Sequence, residues 1–95
     1  MQYLLLIHGN AQSSIAPEQW SAFFAAANAS GLFRGGSQLG TRTLLGSRLD
    51  AGSTDHIVGY MRFDSDDKQA LLDLLKTHPV VVQGGTVELC ELPES

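Results

Sequence analysis

Three histidines, His8, His56 and His78, are the side chains of this chain best suited to move a proton near neutral pH, because imidazole titrates there. Around them stand Asp55 and Asp50, either of which could orient an imidazole, and Arg42, whose guanidinium could hold an anionic group on a substrate. The chemistry this set offers is proton transfer on a small molecule. His8 and His56 are the candidate catalytic residues; Arg42, His78 and Asp55 are the candidate substrate-binding ones. A plainer assignment competes with it. His78 would be a helix C-terminal residue favoured by the dipole, with His8 and His56 surface residues at strand ends.

Other chemistries find less support. The histidines are 48 and 22 residues apart, unlike any local zinc motif, so no metal site is expected. Gly35, Gly36 and Gly40 do not form a G-x-G-x-x-G turn between strand and helix, so no nucleotide cofactor is expected either. No serine lies in a G-x-S-x-G elbow. Cys90 has no cationic neighbour in sequence and reads as a packing residue. Asp64, Asp66 and Asp67 fit the start of a helix better than a calcium loop, which needs a glycine and a bidentate glutamate that are missing.

The elements that would position these groups follow from periodicity. Gln2 to Ile7 is an apolar run without helical spacing, closed by Gly9-Asn10, and predicts a strand buried on both faces. Pro17 and Glu18 suit a first helical turn, and Trp20, Phe23, Phe24 and Ala27 form one apolar stripe that Gly31 ends. That stripe reads as core. The glycine-rich stretch from Leu32 to Leu45 predicts a strand with a bulge, followed by a turn-rich segment from Gly46 to Asp55. His56 to Phe63 predicts a third strand. Ser65, Asp66 and Asp67 open a second helix that His78-Pro79 would end, and Thr86 to Leu92 makes the last strand after a Gly84-Gly85 turn.

The order β-α-β-β-α-β, joined by right-handed crossovers, predicts a ferredoxin-like α+β fold, a four-stranded antiparallel sheet with both helices on one face. His8, His56 and His78 then fall at one end of that sheet, with Asp55 and Arg42 nearby. The opposite face carries too many apolar residues to meet water, which predicts a homodimer.

Composition sets the outer limits. The chain has 95 residues, enough for one domain only, and 43% hydrophobic against 17% charged residues marks it as globular. A net charge of −4, with its Lys and Arg scattered, argues against nucleic acid. One cysteine allows no internal disulfide, and the apolar start is too short to span a bilayer. A cytoplasmic protein without membrane partners is therefore expected.

The opening Met1-Gln-Tyr-Leu-Leu-Leu-Ile-His-Gly-Asn10, the Pro17-Glu18-x-Trp20 helix start and Gly35-Gly36-Ser-Gln-Leu-Gly40 together resemble the YCII-related family. Gly59-Tyr60, Phe63-Asp64-Ser65, His78-Pro79 and Gly84-Gly85-Thr-Val-Glu88 extend the resemblance over nearly the whole chain. It implies a dimeric α+β barrel, and for some members dehydrochlorination by a His-Asp pair. The positions of that pair fall here near Gln19 or Trp20 and near Arg42, where neither partner stands. Two functions remain: a cofactor-independent lyase or isomerase acting on a small organic molecule, and a non-catalytic dimeric module binding a ligand or a protein.

Overall fold

The computed structural model describes residues 1–48, 50 and 52–94. Its elements run β1 (Gln2–His8), α1 (Pro17–Ser30), β2 (Phe33–Gln38), β3 (Ile57–Asp64), α2 (Lys68–Leu75), α3 (Pro79–Val82) and β4 (Val87–Leu92). The strands form one sheet in the order β2-β3-β1-β4, and every neighbouring pair is antiparallel. This is the ferredoxin-like α+β arrangement.

Side-chain alternation divides the sheet into two faces. Tyr3, Leu5 and Ile7 of β1 point with Met61 and Phe63 of β3 into the core. There they meet Phe23 and Ala27 of α1, Leu71 and Leu75 of α2, and Val80 of α3. The intervening residues, Leu4, Leu6 and His8, face the other way and stay half-buried, so within a single chain β1 is covered fully on one face only. Across β1 the same open face carries Tyr60 and Arg62 from β3 and Glu88 and Cys90 from β4.

Helix α1 has Pro17 at its first position, and the Gln19 side chain reaches back to accept the Ala16 N–H at 2.9 Å. Gly31 closes the helix in the left-handed conformation at φ 74°. The start of α2 differs from the sequence expectation. Asp67, not Ser65, is the cap: its carboxylate accepts the N–H groups of Gln69 and Ala70. Ser65 is buried, and its hydroxyl brackets the Asp67 backbone instead.

The expected helix end at His78-Pro79 is also corrected. Helix α2 finishes at Leu75, and Pro79 begins the separate short α3 with His78 as its N-cap. A proline that cannot continue one helix is well placed to start another.

The glycine-rich strand is shorter than its sequence suggests but has the expected irregularity. Its pairing with β3 slips between Phe33 and Gly36, and Gly35 sits at φ 106°. At Gly36 the two backbones approach so closely that a Cβ would lie 2.3 Å from the Tyr60 carbonyl oxygen. The connection from β2 to β3 is held by Arg42, whose guanidinium donates to the carbonyls of Gly40, Thr54 and Ile57. Among the described residues no helix is long and apolar enough to cross a membrane.

Candidate functional site

A cleft of about 690 Å³ opens between α1 and the ends of β1, β2 and β3. Ile7, Ile15, Met61 and Val80 supply apolar lining, and Trp20 and Phe24 supply a wall of rings. Those two rings stack at 6.0 Å and 28°, and Phe24 continues the contact to Phe33 at 6.0 Å. The apolar stripe of α1 thus splits by function. Phe23 and Ala27 enter the core, while Trp20 and Phe24 turn to the cleft.

Backbone forms part of the opposite wall. Gly36 and Gly59 line it, and a Cβ on Gly59 would come within 3.1 Å of the Ser37 carbonyl. Polar groups are few: His8, Ser37, Gln38 and Tyr60. A mostly apolar cavity with a small number of placed polar groups is the usual form of a small-molecule site.

His8 stands at the end of β1 where the cleft meets the open face. Its Nε2 lies 3.1 Å from Glu88 Oε1. An ionised carboxylate can only accept, so the shared proton sits on Nε2 and leaves the Nδ1 lone pair free to take another. The imidazole of His56, just before β3, is 5.7 Å away between ring centroids. These two histidines are brought together at one end of the sheet. The orienting carboxylate is Glu88, not the Asp55 or Asp50 suggested by sequence.

The other candidates have partners other than this pair. Asp55 accepts a hydrogen bond from Ser53 at 2.8 Å, and Asp50 pairs with Arg48 at 3.3 Å. Arg42 spends its guanidinium on backbone carbonyls and on the Thr54 hydroxyl at 3.5 Å. That use leaves it a loop staple rather than a converging anion clamp.

His78 is fully buried behind the cleft rather than in it. Its Nδ1 accepts the Val80 N–H at 3.1 Å, which puts the ring proton on Nε2. Nε2 is buried and has no hydrogen-bond partner. Burial pushes this imidazole down to about 4, so it is neutral at physiological pH. The C-terminal helix-dipole role suggested by sequence is therefore replaced by an N-terminal one.

Among the described residues no three His, Cys, Asp or Glu side chains gather to hold a metal ion. Glu88 and the Trp20-Phe24 wall are the site residues that sequence reasoning missed. Position could have revealed Glu88, because adjacent antiparallel strands place it on the face of β1 that also carries His8.

No family model matches the chain, and no curated protein matches it. A solved structure with the same fold is the 5-chloro-2-hydroxyhydroquinone dehydrochlorinase TftG from Burkholderia phenoliruptrix AC1100, in complex with 2,5-dihydroxybenzoquinone. The superposition covers 100% of this chain and 96% of that one, with a TM-score of 0.58 and 12% sequence identity. At that identity the likeness defines a shared fold.

Proposed function

We propose that this chain is a cofactor-independent lyase or isomerase of the YCII-related type, acting on a small ring-bearing molecule held in the cleft. The observation that carries this reading is the His8–Glu88 pair at the edge of an apolar, aromatic-walled cavity. His8 Nδ1 takes a proton from a carbon next to a carbonyl, or from a ring hydroxyl conjugated with the reacting carbon of a keto tautomer, and Glu88 stabilises the imidazolium that results. In a lyase, the electron pair left behind moves through the conjugated system to form a new double bond at the carbon from which the leaving group departs with its own pair. In an isomerase, His8 returns the proton at a different carbon. Neither route needs a redox partner. The fold shared with TftG, a dehydrochlorinase solved with a quinone ligand, supports the lyase route.

The functional unit in this reading is a homodimer joined through the open sheet face. Leu4, Leu6, Val58, Tyr60 and Leu92 give that face an apolar centre, with Val58 44% and Leu92 37% exposed. A second copy covers this surface and brings a second His8–Glu88 pair to it.

The test is chloride release from 5-chloro-2-hydroxyhydroquinone, together with binding of 2,5-dihydroxybenzoquinone followed by quenching of Trp20. Catalysed release that His8→Asn abolishes supports the proposal. A compound that neither turns over nor quenches Trp20 removes it for this class. The alternative, a ligand-binding module without catalysis, draws on the occupation of Arg42 by backbone carbonyls. It predicts binding without turnover, at an affinity unchanged in His8→Asn.

A further inference from the structure

The cleft has a second row of residues behind Trp20, and one of them is polar. His78 is fully buried, and its ring meets Trp20 edge-on at 5.2 Å and 87° and Phe23 at 4.7 Å and 61°. The same imidazole fixes the start of α3 through its bond from Val80 N–H, and Val80 also lines the cleft. One ring thus touches the aromatic wall from α1 and anchors the segment that supplies Val80.

From this arrangement we infer that His78 is a positioning residue that sets the orientation of Trp20 in the cleft wall. The inference rests on the reading of that cleft as the ligand site. A residue needed only to cap α3 has less demanding substitutes, since asparagine and aspartate cap helices well. Histidine here leaves a buried Nε2–H without an acceptor, a cost that capping alone does not explain. Its ring also contacts both Trp20 and Phe23, so the indole packs edge-on against it.

The surroundings of the ring contribute no charge. Trp20 and Phe23 face it from α1, and the Val80 amide faces it from α3. Lys76, the nearest ionisable residue in sequence, is exposed and pairs with Asp73 at 3.4 Å, and Glu18 on α1 is exposed.

Two substitutions separate ring from cap. His78→Asn keeps a capping acceptor and removes the ring; His78→Phe keeps a ring and removes the acceptor. Trp20 is the one tryptophan of the chain, so its emission reports the wall directly. With folding verified by circular dichroism, His78→Asn is expected to move Trp20 emission to longer wavelength. It should also weaken binding of 2,5-dihydroxybenzoquinone by about fivefold, the order expected from loss of an aromatic contact. His78→Phe should keep the emission maximum and bind within about twofold of the parent, because the wall retains a ring.

A folded His78→Asn protein with unchanged emission and affinity overturns the inference, as does His78→Phe losing both equally. Should the parent not bind the quinone, the functional proposal falls while the emission comparison still decides the role of His78. Should neither variant fold, the parent itself is titrated. Trp20 emission should then follow the protonation of His78 seen by NMR, and emission that stays flat through that step refutes the coupling.

Discussion

His8 Nε2 and Glu88 Oε1 are 3.1 Å apart although their residues stand 80 positions from each other in the chain. The antiparallel register of β1 and β4 makes the contact, pairing Leu6 with Glu88 and Ile7 with Val87, so that His8 and Glu88 project from the same face. A proton acceptor held by a carboxylate in this way presents one defined nitrogen to a substrate.

Glu88→Gln tests the orienting role. An amide can accept the Nε2 proton but carries no charge to balance an imidazolium in the transition state. If His8 is the base, kcat for chloride release should fall by about tenfold to a hundredfold. KM should hold within about twofold, because the lost interaction belongs to the transition state. Steady-state kinetics reads both constants.

His78 ties stability to pH. Its folded-state imidazole lies near 4 against an ordinary value of 6.5, so between those values the unfolded chain binds more protons than the folded one. Stability from this residue is complete above about 6.5 and is lost as pH falls toward 4. The full loss is on the order of 3 kcal/mol. Urea unfolding of the parent and of His78→Phe at pH 7 and pH 5 measures it; the variant should show a smaller drop.

Gly36 admits no side chain. Its Cβ would lie 2.3 Å from the Tyr60 oxygen and 2.9 Å from the Met61 Cα, both backbone atoms that cannot rotate away. Gly36→Ala should destabilise the fold by about 2 kcal/mol, as overpacking at a strand pair does. Gly40→Ala, which meets open space, is the control and should change stability little. Denaturant midpoints at equal m-values decide between them.

The open sheet face should control assembly. Leu6→Lys places a charge at its centre without touching the core residues Leu5 and Ile7. Sedimentation equilibrium should give a dimer for the parent and a monomer for the variant. A monomeric parent at tens of micromolar would remove the homodimer from the proposal.

Local chemistry made much of this fold legible. The stripe of Trp20, Phe23, Phe24 and Ala27 between Pro17 and Gly31 marks α1, and the β-α-β-β-α-β order leads to the sheet. Where the same signal served two purposes, sequence was less decisive. Pro79 ends one helix and begins another, and Ser65 and Asp67 are both good caps until Ser65 is seen to be buried. The site was harder because its contacts are not local. His8 and His56 could be placed at one end of the sheet from topology alone. Glu88 needed the register of β1 on β4, and the retirement of Arg42 to loop carbonyls needed the path of the β2–β3 connection.

The sheet order places β1 in the interior, between β3 and β4, with Gln2 opposite Leu92. A chain made from its N-terminus therefore synthesises its central strand first and one of that strand's neighbours last. Leu4, Leu5 and Leu6 have no complete set of partners until β4 has been made, so the sheet stays open until its last strand is present. For that interval the nascent polypeptide displays an unpaired, leucine-rich segment. A leucine-rich strand without its neighbours is the part of this sheet most open to pairing with the wrong chain.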